Sequence, residues 1–96
     1  MPQAVTAASW PPVFTTVLSW AYYSAMEASR RMRRLKARRL KAGIRQMAVA
    51  RGIADRSGWR MTQPTFSVIE SGSIPAPSGF LTHYARTLTQ LIEESA

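Results

Sequence analysis

The segment from Thr62 to Gly72 has the features of one short helix whose two ends are both marked. Thr62 can cap the start of such a helix, and Pro64 falls in its first turn, where a missing N–H costs nothing. Gly72 can adopt the left-handed conformation that closes a helix. Phe66 and Ile69 are three residues apart, so both face the same way. The sequence therefore predicts a short helix with an apolar back.

The front of this predicted helix carries neutral side chains. They are Gln63, Thr65, Ser67 and Val68. Gln can pair bidentately with adenine, Ser and Thr can bond to several base edges, and an apolar tip can contact the methyl group of thymine. A helix of this kind suits the major groove of double-stranded DNA, and these four residues are the predicted base contacts.

The residues of this segment resemble the recognition helix of the lambda-repressor-like helix-turn-helix family, which includes the Cro proteins. Residues 62–72 fit the family pattern Ser/Thr-Gln-x-Ser/Thr-hydrophobic-Ser-x-hydrophobic-Glu-x-Gly. Upstream, residues 43–50 look like the start of the family's first motif helix, and residues 77–88 resemble the helix that follows the motif. The resemblance covers about residues 33–90. It implies a sequence-specific transcriptional regulator, a small repressor of phage or mobile-element type, with the recognition helix 62–71 in the major groove.

The same resemblance implies two roles for individual side chains. In relatives, an Arg at the position of Arg39 forms a partly buried ion pair with a Glu at the position of Glu70, and the pair orients the recognition helix. A Gln at the position of Gln46 reaches a DNA phosphate in relatives, and the first N–H groups of a helix also favour an anion. In the alternative to these roles, Glu70 is an acid on the helix surface, and Gln46 is an ordinary residue at the start of a helix.

The chain departs from the family pattern at three places. The distance from Gly43 to Glu70 is about six residues longer than usual, and the surplus lies within residues 51–61. Pro64 and Val68 stand where many relatives carry polar side chains, so hydrogen-bonding capacity is reduced there. A lengthened turn and a short or degenerate operator are therefore expected.

Charge agrees with a nucleic-acid partner. The 96 residues include 13 Lys and Arg but only 5 Asp and Glu, which gives a formal net charge of +8. All ten charged residues between Ala28 and Ala54 are basic. The alternative is a solvated basic face or a flexible tail. We expect phosphate contacts from Arg33, Arg34, Arg38, Arg45, Gln46 and Arg60.

The pattern of apolar residues, glycines and prolines predicts an all-α protein, a small helix-turn-helix bundle of four to five helices. Residues 1–12 are expected to be disordered, residues 13–32 to form an apolar N-terminal helix, and residues 33–96 to form the DNA-binding domain. No Gly or Pro interrupts residues 13–42, so one long helix is expected there. The second helix is expected to turn Met47, Ala50, Ile53 and Ala54 inward.

The apolar residues of the long helix have heptad spacing, which predicts a seam against another helix. A homodimer through this seam is the leading prediction. In the alternatives, the helix folds back to complete a monomer core, anchors a membrane, or precedes a natural start at Met26. A membrane role is not favoured, because a run of roughly 17 residues is short for a span. The stripe consists of Phe14, Leu18, Ala21, Ala25, Ala28, Met32 and Leu35.

Enzymatic activity is not expected, because the sequence offers no nucleophile with a paired base, no carboxylate dyad and no phosphate loop. No cofactor is expected either. The chain lacks cysteine, which fits a cytoplasmic protein. His83 and Trp59 are expected to pack rather than to bind a ligand or a base. The alternative function is a protein-interaction module, antitoxin-like or an inhibitor, that contacts its protein partner through the apolar N-terminal helix.

Overall fold

A computed structural model describes residues 12–96, with side chains from Ser19 onward. The described chain is a small all-α bundle, as predicted, and no strand occurs in it. The prediction of disorder for residues 1–12 lies outside the described residues except at Pro12, which begins the first helix. The helices are α1 (Pro12–Lys41), α2 (Gln46–Ser57), α3 (Gln63–Glu70) and α4 (Phe80–Ser95).

Local sequence signals set both ends of α3. The Thr62 hydroxyl accepts a hydrogen bond from the Thr65 N–H, and a proline stands in the first turn. At the other end Gly72 has a φ of +83°, and the Ser73 N–H donates to the Val68 carbonyl at 3.0 Å. This left-handed closure satisfies carbonyls that the helix itself cannot, and it confirms the prediction for Gly72.

The core lies between α2, α3 and α4. Its aromatic centre is formed by Phe66, Phe80 and Tyr84, which are fully buried and whose ring centroids are 5.1–6.0 Å apart. Aromatic pairs in this range gain energy beyond their buried area. The remaining core side chains are Val49, Ala50, Ile53, Ile69 and Leu88.

The inward face of α2 includes Ala50, as predicted, but differs from the predicted face at Met47. Met47 is exposed, whereas Val49 is fully buried. The reason lies in a close approach of two helices, because a Cβ added at Gly52 would lie 2.2 Å from the Thr87 Cγ2 atom of α4. The missing side chain of Gly52 lets α2 approach α4, and the helix is rotated accordingly.

The surplus residues lengthen α2 and the connection that follows it. The helix has 12 residues, and residues 58–62 connect it to α3, compared with the three or four residues of the standard motif. Trp59 in this connection packs against the core, and its ring meets the ring of His83 edge to face at 5.1 Å. The lengthened connection between α2 and α3 therefore packs against α4.

Only the C-terminal part of α1 belongs to the bundle. Met32 and Leu35 pack against the core, whereas Ala21, Ala25 and Ala28 are exposed. A continuous helix of 30 residues is about 45 Å long, and the principal-axis extents are 63 × 25 × 20 Å. The fold-back alternative is wrong for these described positions, and the side chains of Phe14 and Leu18 lie outside the described ones.

The exposed part of α1 carries three large aromatic side chains. Trp20, Tyr22 and Tyr23 are 71%, 63% and 68% exposed. None of the helices in the described part of the chain combines the length and the apolar character that a membrane crossing needs.

Candidate nucleic-acid interface

A buried carboxylate joins all four helices. Glu70, at the end of α3, accepts two hydrogen bonds from Arg39 of α1, with Nε to Oε2 and Nη2 to Oε1 both at 2.9 Å. The Tyr84 hydroxyl of α4 also donates to Oε2, and Gln46 of α2 donates through Nε2 to Oε1 at 3.0 Å. The structure thus brings Arg39 and Glu70 together in the bidentate geometry that makes Arg–carboxylate pairs strong.

Arg39 also supports the turn that follows its own helix. Its Nη1 atom donates to the Ile44 carbonyl at 2.9 Å, two residues before α2 begins. The side chains of Arg39 and Glu70 are only 7% and 1% exposed. Buried charges are tolerated where they are paired and hydrogen-bonded, and each buried side-chain nitrogen and oxygen atom of this cluster has a hydrogen-bond partner.

The hydrogen bonds determine which form of Glu70 the fold favours. Burial would raise the pKa of Glu70, but the hydrogen bonds from Arg39, Tyr84 and Gln46 outweigh it and hold the pKa below its ordinary value of 4.5. Burial and the bond to Glu70 raise the pKa of Tyr84. Glu70 is therefore the charged acceptor of the cluster, and Tyr84 is a neutral donor.

Gln46 extends this cluster to the start of α3. The Gln63 Nε2 atom donates to the Gln46 Oε1 atom at 2.8 Å, and Gln46 is itself bonded to Glu70. One N–H of Gln63 is thereby used, and its second N–H and its carbonyl oxygen have no partner among the described residues. Gln63 can thus still present one donor and one acceptor.

The outer face of α3 is defined by what the helix buries. Phe66, Ile69 and Glu70 point inward. At about 100° per residue, the side directly opposite is formed by Pro64, Val68 and Ser71, all of which are exposed.

The predicted base contacts do not all share that outer side. Thr65 and Ser67 are two residues apart, so they lie on opposite flanks of α3. Thr65 also accepts a hydrogen bond from the Thr62 hydroxyl at 2.9 Å. The predicted base contacts do not include Ser71, and the sequence analysis counts Pro64 only as a lost hydrogen-bonding position. The spacing of Pro64, Val68 and Ser71 by four and three residues, opposite the buried positions, is the signal that would have found this line.

The six predicted phosphate-contacting residues separate into two groups. Arg45 precedes Gln46 at the start of α2, Arg60 is exposed two residues before the cap of α3, and Arg33 borders a cleft beside the C-terminal end of α3. In contrast, Arg34 pairs with Glu27 at 3.1 Å, and the Arg38 Nη2 atom donates to the Thr89 hydroxyl of α4 at 3.2 Å. The structure does not bring Arg34 and Arg38 to the α3 surface.

Acidic side chains are absent from the outer face of α3. Between Arg56 and Ile92 the only acid is Glu70, which is buried in the ion pair. Asp55 and Glu94 line the cleft between α2 and α4, and Glu27 lies on α1. The α3 face is therefore neutral at its centre and has arginines near its edges, which suits a polyanionic partner.

Comparisons with known proteins add no relative. No protein-family model matches the chain, and neither the curated proteins nor the solved structures contain a match to it.

The depressed pKa of Glu70 makes the stability of the fold depend on pH. The contribution of Glu70 is fully present above its unfolded pKa near 4.5 and is lost as pH falls through the lower folded value. We expect Glu70→Gln to lower the free energy of unfolding by about 3 kcal/mol at neutral pH, because Arg39 then keeps a buried, uncompensated charge. The difference between variant and wild type should shrink as the pH falls below about 4.

Urea denaturation across this pH range measures both effects, and the matched control is Glu93→Gln, which removes an exposed carboxylate. A Glu70→Gln variant whose deficit is small, or equal at neutral and acidic pH, would contradict the assigned role of the ion pair.

Proposed function

We propose that this chain is a sequence-specific double-stranded DNA-binding protein of the lambda-repressor-like helix-turn-helix class. It acts as a transcriptional regulator, a small repressor of phage or mobile-element type, and places α3 in the major groove. The observation that supports this most directly is the neutral outer face of α3, which the buried Glu70 cluster holds in one orientation. We propose no catalytic role.

Fixed orientation matters because base readout depends on hydrogen-bond geometry. Glu70 ties the C-terminal end of α3 to α1, α2 and α4, and the Gln63–Gln46 bond ties its N-terminal end to α2. A helix held at both ends cannot rotate about its axis without breaking buried hydrogen bonds. The protein therefore orders the readout surface before binding and loses less entropy when DNA arrives.

Gln63 is the best placed residue for a hydrogen-bonded base contact. Its remaining N–H and its carbonyl oxygen match the N7 acceptor and the N6 amino donor of adenine. The bond to Gln46 restrains the orientation of the Gln63 amide group. This arrangement favours adenine over guanine, because guanine presents acceptors at both N7 and O6.

Phosphate contacts fit the edges of the same surface. Gln46 donates one N–H to Glu70 and keeps a second one. The first N–H groups of α2 and the exposed side chain of Arg45 lie beside it, and a helix N-terminus favours an anion. Arg60 and Arg33 lie near the two ends of α3. From there their side chains could reach the DNA backbone on either side of this helix.

A second copy of the chain is the proposed partner of α1. Ala21, Ala25 and Ala28 continue the line on which Met32 and Leu35 pack against the core, and nothing in the described chain covers them. Small side chains let two helices approach closely. Helix-turn-helix proteins commonly bind two half-sites as dimers.

An interaction with a different protein is the second candidate function. Its support is the group of exposed aromatic side chains Trp20, Tyr22 and Tyr23 on the projecting part of α1, since exposed apolar patches often mark interaction sites. Binding of this kind would depend on these aromatic residues and only weakly on salt, whereas DNA binding through phosphates loses affinity steeply as salt rises.

The specificity of the proposed DNA binding is expected to depend on Gln63. After selection of the best site from random duplexes, Gln63→Ala should lower affinity for that site by about 1–3 kcal/mol and relax preference at one base pair. Competition assays against single-base variants of the site measure this. Equal weakening on every sequence would assign Gln63 to the DNA backbone, and selection that enriches no sequence would contradict the proposed function.

The salt dependence of binding is expected to separate the two groups of arginines. Changing Arg33 and Arg45 to Gln should flatten the plot of log affinity against log salt by roughly 0.9 for each phosphate that the variant no longer neutralises. Changing Arg34 and Arg38 to Gln removes the same charge and serves as the control with a smaller effect. Equal slopes for the two double variants would show that only net charge matters.

The α1 seam is expected to determine the oligomeric state. Ala21→Glu places a charge on the exposed stripe, whereas Ser19→Glu places the same charge two residues away, on the opposite side of the helix. Light scattering should show a dimer for the wild type and the Ser19 variant and a monomer for the Ala21 variant. A monomeric wild type, or equal effects of the two substitutions, would exclude this seam.

A further inference from the structure

We infer that Pro64 and Val68 form an apolar reading edge that recognises the methyl groups of thymine, so that the preferred DNA carries two thymines opposite this edge. The inference rests on the proposed function and specifies its ligand. It concerns the two positions at which the chain has no polar side chain in the middle of an otherwise polar helix face.

The placement of the two residues is the first argument. Pro64 and Val68 are one helical turn apart on the side of α3 directly opposite the buried Phe66 and Ile69. Val68 is 41% exposed although it is aliphatic, and no neighbouring element of the described chain covers it. Along the helix axis the two side chains are separated by about 6 Å, which corresponds to roughly two base-pair steps.

The lack of free donors on this line is the second argument. Pro64 has no N–H, and Val68 has no polar atom. The hydroxyl of Ser71, the third residue of the line, donates to the Val68 carbonyl at 2.9 Å and lies 2.9 Å from the Ser73 hydroxyl. The outermost part of α3 therefore offers nothing that donates to the N7 or O6 atoms of guanine.

The chemistry that fits such an edge is the C5-methyl group, the one apolar feature of the major groove. A carbon surface gains free energy when it covers a methyl group, whereas against an amino or carbonyl group it would leave a polar atom without its water. Gln63 on the adjoining flank suits adenine, so both parts of the helix favour A·T pairs.

The test replaces thymine by deoxyuridine, which lacks only the methyl group. In the site selected from random duplexes, each thymine is replaced in turn, and affinity is measured for the wild type, Val68→Ala and Pro64→Ala. Removal of one buried methyl group should weaken wild-type binding about fourfold at each of two positions. Both residues are exposed, and thermal unfolding verifies that each variant is folded.

The variants serve as controls for each other. Val68→Ala should abolish the effect of deoxyuridine at one position and keep it at the other, and Pro64→Ala should do the reverse. Sequence-specific binding that is indifferent to deoxyuridine at every position would overturn the inference and leave the proposed function intact. A methyl effect that persists in both variants would also overturn it, because another residue would then read the methyl group. Failure to select any sequence would overturn both.

Discussion

The buried carboxylate of Glu70 is the constraint on which the other parts of the structure depend. A charge removed from water is costly unless it is fully paired, and this one is satisfied by donors from α1, α2 and α4. No single helix can move without leaving part of the cluster unsatisfied. The cluster contributes less to net stability than its number of bonds suggests, because burial offsets much of what the bonds contribute. Its main effect is to select a single relative arrangement of the four helices.

That arrangement explains how so short a helix could serve as the proposed recognition surface. An isolated helix of eight residues is not stable in water, and α3 has only eight. Its start is fixed by Thr62 and Pro64, its end by Gly72, and its rotation by Phe66 and Glu70. Because tertiary contacts hold the backbone, the exposed side chain of Val68 on the outer side has no packing or capping role. The sequence there can be neutral, apolar or polar as binding requires.

The helices and their ends could be predicted from sequence because caps, prolines and glycines act locally, as at Thr62 and Gly72. The pairing of Arg39 with Glu70 came from the resemblance, since 31 residues separate them along the chain. Other features depend on packing between distant segments. The rotation that exposes Met47 follows from the close approach of Gly52 to Thr87, and no periodicity reveals that pair. The hydrogen-bond partners of Arg34 and Arg38 could not be predicted either, because a run of basic residues does not show which face of the helix each residue occupies.

The charges on α1 constrain how two copies of the helix could pair. Between Ser19 and Ser29 the only charged residue is Glu27, whereas nine Lys and Arg occur between Arg30 and Arg45. A parallel pair would place the two basic segments side by side, where like charges repel. In an antiparallel pair, the segments from Ser19 to Ser29 of the two copies would lie against each other. The basic segment of each copy would then extend past the end of that contact, away from the basic segment of the other copy. The two bundles would then lie at opposite ends of a shared helix pair, and the α1 helix of about 45 Å would set the distance between the two α3 helices. In the proposed dimer, the charge pattern therefore favours an antiparallel seam confined to the alanine-containing part of α1.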